Sequence, residues 1–223
     1  MPDIELTTLR WAPAPFQGQV RDLAPRWALE EAGLEYAERQ VPDDHRRGPD
    51  YRARQPFGQV PAYREDGIEI FESGAIVLYV AERHGLLPRE PAARERAKAW
   101  IFAALNSLDP DIIALGDIDH FAAREPWAIA RRPALVESIV RRLSAVAADL
   151  GRRAYLAGDF SAADITLIMT LRALRHTDLV ARVPVLDAYR RRCEERPAFQ
   201  RALAAQLAAF ARHAPTRLHE DRT

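Results

Sequence analysis

The spacing of apolar residues changes character part-way along this chain. Ile4 to Leu9 is a short β-prone run. After the proline-rich Ala12-Pro13-Ala14-Pro15, the positions Val20, Leu23, Ala24, Trp27 and Ala28 follow the i, i+3, i+4, i+7, i+8 spacing of one helix face. Gly33 closes that helix, and Pro25 within it is expected to kink it or strip one hydrogen bond from it. Tyr36 to Val41 reads as a second strand, and the Arg/Asp-rich stretch up to Gln55 as irregular helix and loop. Val60-Pro61-Ala62-Tyr63 and Ile68-Glu69-Ile70-Phe71 flank Glu65-Asp66-Gly67, which is a hairpin signal. Glu72-Ser73-Gly74 then opens a helix that holds Ile76, Val77, Tyr79 and Val80 and ends near Gly85.

The order is β-α-β, a connection, then β-β-α: one sheet layer with helices packed on it, a thioredoxin-like arrangement. Leu86-Leu87-Pro88-Arg89-Glu90-Pro91 has two prolines and no periodicity, and reads as a linker. Beyond it the pattern is helical throughout. Trp100, Ile101, Ala104, Leu105 and Leu108 form one stripe, and a longer one runs from Leu135 to Leu150. From Ile165 to Leu174 apolar residues cover almost the whole circumference, which predicts a central, buried helix. Leu186 with Tyr189, and Phe199, Leu203, Leu207 with Phe210, mark two more. The expected fold is therefore α/β plus all-α: a thioredoxin-like domain over residues 1–85, a linker at 86–91 and a helical bundle over 92–223.

With 223 residues, 48% of them hydrophobic, the chain can fill two small cores or one large one. Lys+Arg and Asp+Glu both number 32, so no net field draws the chain to nucleic acid or to an anionic membrane. Lys98 is the only lysine. Arg46-Arg47, Arg131-Arg132, Arg141-Arg142 and Arg190-Arg191-Arg192 read as solvated faces. The single cysteine, Cys193, excludes an intramolecular disulfide and fits a reducing compartment. It lies in a charged stretch without a catalytic partner. No signal peptide is evident, and no apolar run approaches the roughly 18 residues of a membrane span. The expected location is the cytoplasm, and no metal site is expected.

Two short stretches carry candidate chemistry. In Gln55-Pro56-Phe57-Gly58-Gln59-Val60-Pro61 a proline meets a β-prone run, where it belongs at a strand start or an edge. A cis Val60-Pro61 bond would present the Val60 N–H and C=O to solvent; a trans bond would simply begin a strand. At Glu72-Ser73 the serine hydroxyl and the first free N–H groups of a helix can hold a carboxylate, while Glu72 can accept from an ammonium group. That pairing suits the α-amino-acid end of a ligand. An ordinary N-cap explains the same residues.

Taken in register, QPFGQVPAY, a short hairpin and FESGAIVLYVAERHG resemble the N-terminal half of the glutathione S-transferase superfamily. The resemblance implies that Val60 and Pro61 bind the cysteinyl backbone of glutathione, that Glu72 and Ser73 bind its γ-glutamyl end, and that Gln59 is a candidate for the glycyl end. It also implies a homodimer, a second, small hydrophobic electrophile as co-substrate, and a role in detoxification. It spans almost the whole chain. Phe160-Ser161-Ala162-Ala163-Asp164-Ile165 matches the family's folding motif, and Ser161 and Asp164 independently have the spacing of a capping box, with Phe160 and Ile165 placed as a hydrophobic staple.

The match breaks at the catalytic position. Many relatives carry Ser-Pro-Phe or Cys-Pro-Phe there, whereas this chain reads Ala14-Pro15-Phe16-Gln17-Gly18-Gln19-Val20-Arg21. No Ser, Cys or Tyr precedes Tyr36, and Thr7 and Thr8 fall in a strand. A free thiol titrates near 8.5, so an enzyme of this kind must aim donors at the sulfur. The expected donors are the Gln17 side-chain amide, backbone N–H groups around Gln17–Gln19, and the Trp11 indole as a further candidate. Trp11, Trp100, Phe102 and Leu105 are candidates to line the pocket of the second substrate.

Overall fold

The computed structural model describes residues 3–215. Strand β1 (Glu5–Leu9) feeds helix α1 (Leu23–Ala32) and strand β2 (Ala37–Val41), followed by a single helical turn, α2 (Pro49–Arg52). Strands β3 (Ala62–Glu65) and β4 (Ile68–Phe71) form a hairpin, and α3 (Ser73–His84) completes the unit. The sheet order is β2-β1-β3-β4, with β1 parallel to β2 and antiparallel to β3. The hairpin closes through Asp66 and Gly67, both at positive φ (50° and 79°), as a two-residue primed turn demands. This is the thioredoxin-like domain; from Pro91 onward the regular elements of the described residues are helices, with only isolated β-bridges at Tyr155–Gly158 and Ala157–Asp159 between them.

Pro25 does not kink α1. The helix begins at Leu23, so the proline stands in its first turn, where an N–H would have no intrahelical acceptor in any case. Val20 therefore precedes the helix rather than lying on its face. Arg26 is buried on α1 and is satisfied there by Asp22 at 2.7 Å and Glu38 at 2.5 Å. Burial alone would raise Glu38; the hydrogen bond and charge of Arg26 outweigh it and hold that carboxyl below its usual range.

Helix α4 (Pro91–Phe102) runs without a break through a wide-turned stretch, Ala103–Leu108, into α5 (Asp109–Phe121). The helical stripe read from the sequence ends at Leu108, whereas the helix continues to Phe121. Pro110 has no N–H, and its ring crowds the carbonyl of Asn106, so the backbone widens to i→i+5 bonding just before it. Helix α6 (Pro126–Leu150) packs on α5, and α7 (Ala162–Arg172) is buried along nearly its whole length. Helices α8 (Pro184–Glu194) and α9 (Pro197–Arg212) close the bundle.

The start of α7 is organised by Asp164. Its carboxylate accepts from the Ser161 N–H at 2.8 Å, the Ser161 hydroxyl at 3.2 Å, the Leu156 N–H at 3.0 Å and the Tyr189 hydroxyl at 2.7 Å. The shorter acid thus completes the capping box. The connecting segment is tied to the same point, since the Ala162 N–H donates to the Leu86 carbonyl at 2.9 Å. One continuous core joins the two halves, with Trp27 of α1 packed edge-on against Phe199 of α9.

Candidate functional site

A cavity of about 920 Å³ opens between the sheet-bearing half and the helices. Gln59, Val60, Pro61, Glu72 and Ser73 all line it, so the residues singled out in two separate stretches meet on one wall. Local structure explains how each is held. Gln55 is buried, and its side chain accepts from the Gln59 N–H at 2.9 Å. The Tyr51 hydroxyl donates to the Gln59 carbonyl at 2.6 Å, and Arg46 donates to the Gly58 carbonyl at 2.7 Å. Val60-Pro61 is cis. Among the described residues the Val60 N–H and C=O have no protein partner.

At the β4–α3 corner Glu72 stands at φ 72° and ψ 120°. For a non-glycine residue this is an uncommon backbone conformation, costing on the order of 1–3 kcal/mol, of the kind that collects at ligand-binding sites. The Glu72 side chain makes no capping bond, and within the described residues neither it nor the Ser73 hydroxyl is paired. Ser73 is the first residue of a twelve-residue helix, beside free N–H groups and the positive end of the helix dipole. An exposed acid, a hydroxyl and a helix N-terminus thus converge with nothing in the protein to satisfy them.

The helices contribute Ile101, Leu105, Ile112, Ile113 and Met169 to the lining, interspersed with Asn106, Asp109, Asp117 and His120. Of the expected pocket residues, Phe102 and Leu105 line the cavity; Trp11 and Trp100 do not. Several groups at the cavity were not singled out from the sequence. Arg46, grouped with Arg47 as solvated, reaches the cavity edge beside Gln59. Arg21 lines the cavity and pairs with Asp109 of α5 across it, leaving the second Asp109 oxygen buried and without a partner. His120, edge-on to Phe16 at 5.2 Å between ring centres, also lines the cavity. The sequence offers little signal for these, because each belongs to a different element.

The loop before α1 differs from expectation. Ala14 sits exposed in a short 3₁₀ turn, Ala14–Phe16, and does not line the cavity. Gln17 does not line it either: its side-chain amide donates to the Ala12 carbonyl at 2.9 Å. The backbone N–H groups of Gln17, Gly18 and Gln19 are likewise engaged, by the Ala14 carbonyl, the Gln206 side chain and the Phe16 carbonyl. The Thr8 hydroxyl donates to Glu38 at 2.9 Å. What remains is one residue further on. Val20 and Arg21 line the cavity, and their N–H groups have no protein acceptor among the described residues.

A four-stranded thioredoxin-like sheet followed by a helical bundle, with a lined cavity between them, defines the class. Residues 16–82 match the family model for the N-terminal domain of glutathione S-transferases. The chain is 33% identical over 207 residues to glutathione S-transferase 4 of Zea mays, covering 84% of this chain and 87% of that one. It is also 34% identical over 190 residues to a maleylacetoacetate isomerase of Rhizobium meliloti, covering 79% and 88% of the two chains. Among solved structures it resembles a glutathione transferase from Burkholderia graminis with two glutathione molecules bound per subunit (TM-score 0.79, 27% identity, 97% and 90% coverage). The chain belongs to the glutathione S-transferase superfamily.

Proposed function

We propose that this protein binds glutathione on the wall formed by Val60, Glu72 and Ser73 and activates its thiol for attack on a small apolar electrophile. The observation that carries this is the set of unspent hydrogen-bonding groups on that wall, in a cavity that also presents the apolar Ile101, Leu105, Ile112, Ile113 and Met169. The γ-glutamyl carboxylate takes the Ser73 hydroxyl and the N–H groups at the start of α3, and its ammonium group takes Glu72. The cysteinyl backbone pairs with the open Val60 N–H and C=O, as an added strand does. Gln59 and the neighbouring Arg46 take the glycyl carboxylate. Relatives named for transfer and for isomerisation share this family, so membership alone does not choose the reaction.

The sulfur then lies towards the first loop. With Gln17 and the amides of residues 17–19 engaged, the donors to the thiolate are the free N–H groups of Val20 and Arg21, next to the N-terminus of α1. The thiolate lone pair forms the carbon–sulfur bond; a leaving group departs with its bonding electrons, or an activated double bond takes up a proton from water. No thiol stands in the loop to form a mixed disulfide with the enzyme. The protein acts as a cytoplasmic homodimer in this proposal, and the two-domain division falls at residues 86–91.

Retention on immobilised glutathione together with turnover of a simple aromatic electrophile tests the reading. Both are expected. Retention without turnover would leave a glutathione-binding protein of the same fold, which the engaged Gln17 amide favours as the second reading. Absence of both would overturn the site.

A further inference from the structure

The loop that faces the sulfur is held by side chains far away in sequence. Gly18 donates its N–H to the Gln206 Oε1 at 3.0 Å. The Gln206 amide donates onward to Asp22 at 3.0 Å and to the Val20 carbonyl at 3.3 Å. Gly18 offers its carbonyl to Arg172, which reaches it through Nε at 3.1 Å and Nη2 at 2.8 Å. Arg175 donates to the Pro15 carbonyl at 2.5 Å. Both main-chain polar groups of Gly18 are therefore consumed by α7 and α9, as is the carbonyl of Val20.

The clamp is built rather than incidental. Gln206 is fully buried, and Asp22, which it reaches, is fully buried too. Arg172 is braced by Glu194 of α8 at 2.5 Å and lies 4.9 Å over the Phe199 ring of α9. Gly18 adopts φ 76°, and a Cβ there would meet Leu203, Arg175 and Arg172 at 3.1–3.3 Å. Only glycine meets both conditions without strain. A backbone pinned at Gly18 and Val20 leaves one stretch between the clamp and the helix, and that stretch carries the unpartnered N–H groups of Val20 and Arg21.

We infer that Arg172 and Gln206 are positioning residues for thiol activation: they consume the main-chain hydrogen bonds of Gly18 and the Val20 carbonyl, and so hold the Val20 and Arg21 N–H groups at the cavity where the glutathione sulfur comes to lie. The helical domain thereby supplies by remote clamping what a hydroxyl-bearing relative supplies from one side chain. This rests on the function proposed above, in that it takes the sulfur to face that loop.

The test is a pH titration of the bound thiolate, followed by its ultraviolet absorbance, with steady-state kinetics on a simple aromatic electrophile. It compares the parent chain with Arg172→Lys and Gln206→Leu. Lysine keeps the charge towards Glu194 and loses the planar fork on the Gly18 carbonyl. Leucine fills the space of Gln206 and makes none of its bonds. Each variant is expected to raise the thiol pKa by about one unit and lower kcat about tenfold, with KM for glutathione within about twofold, since a one-unit shift is about a tenfold change. Ser161→Ala is the control for plain loss of stability: it shifts the melt and leaves the titration unchanged. Should Gln206→Leu not fold, Arg172→Lys decides alone. Titration curves identical to that of the parent in a folded variant would overturn the clamp and leave the glutathione site standing. A parent that binds glutathione without lowering its thiol pKa would overturn the proposed activation, and the clamp with it.

Discussion

Two segments meet at the cavity and are held in opposite ways. The β4–α3 corner is local: Glu72 and Ser73 are neighbours, the hairpin before them closes in two residues, and the helix after them provides its own N–H groups. The loop before α1 is remote-controlled. Its own short turns engage Gln17 and Gln19, but Gly18 is fixed by residues 154 and 188 positions away. The corner presents unspent groups because helix geometry leaves them unspent. The loop presents them only because other helices hold the rest of its backbone. A local site tolerates change elsewhere in the molecule, whereas a clamped one inherits the packing of α7 and α9.

The largest effect should come from breaking the corner. In Glu72→Ala with Ser73→Ala, charge-assisted bonds to both the ammonium and the carboxylate of the γ-glutamyl α-carbon are lost, each worth roughly 1.5–3 kcal/mol. Calorimetric titration is expected to show glutathione affinity weakened about a hundredfold or more, since two such losses come to roughly 3–6 kcal/mol. Unchanged affinity would remove the corner from the site.

Gly18→Ala tests the other member of the pair. A left-handed backbone and contacts near 3.1 Å together predict a loss of about 1–3 kcal/mol in denaturant melts. Thiol activation is expected to fall with it while glutathione affinity changes less. A variant as stable as the parent would show that the loop is not gripped.

Ser161→Ala probes stability away from both segments. It removes one hydroxyl from the Asp164 cluster, an N-cap loss of about 0.5–2 kcal/mol. The melt midpoint should drop and the affinity per folded molecule stay constant. A fall in affinity at constant midpoint would contradict the structural role of that cluster.

The smallest effect is expected at Ala14. Its side chain is exposed and outside the cavity, so Ala14→Ser should change neither the thiol pKa nor turnover measurably. A tenfold gain in turnover would mean that the loop approaches the sulfur through residue 14, as in serine-bearing relatives. Cys193, fully buried with its thiol pushed up by burial, should stay unreactive towards thiol reagents until the chain unfolds.

The same contrast explains what could be read from the sequence. The hairpin, the Glu72-Ser73 corner and the Ser161–Asp164 capping box are contiguous patterns whose geometry follows from turn and helix-end chemistry. Each stands where the pattern put it. The first loop went differently because its partners are non-local: nothing near Gly18 announces Arg172 or Gln206, and a glutamine that looks free to donate to a ligand is engaged by Ala12 five residues back. Pro25 misled because the helix starts three residues later than the apolar stripe. Helix α5 lies beyond the stripe that ends at Leu108: Pro110 interrupts helical hydrogen bonding there, although Ile112, Leu115 and Ile118 keep the helical spacing beyond it. The Arg21–Asp109 pair joins residues 88 apart and carries no sequence signal.

In the function proposed, glutathione lies along the Val60 and Glu72–Ser73 wall with its sulfur at the main-chain N–H groups of Val20 and Arg21. A crystal structure of the protein with glutathione tests this most directly. The γ-glutamyl carboxylate is expected on Ser73, the cysteinyl backbone paired with Val60, and the sulfur within hydrogen-bonding distance of the Val20 or Arg21 N–H. A sulfur lying against Ala14 or Gln17, or glutathione bound away from Ser73, would contradict it.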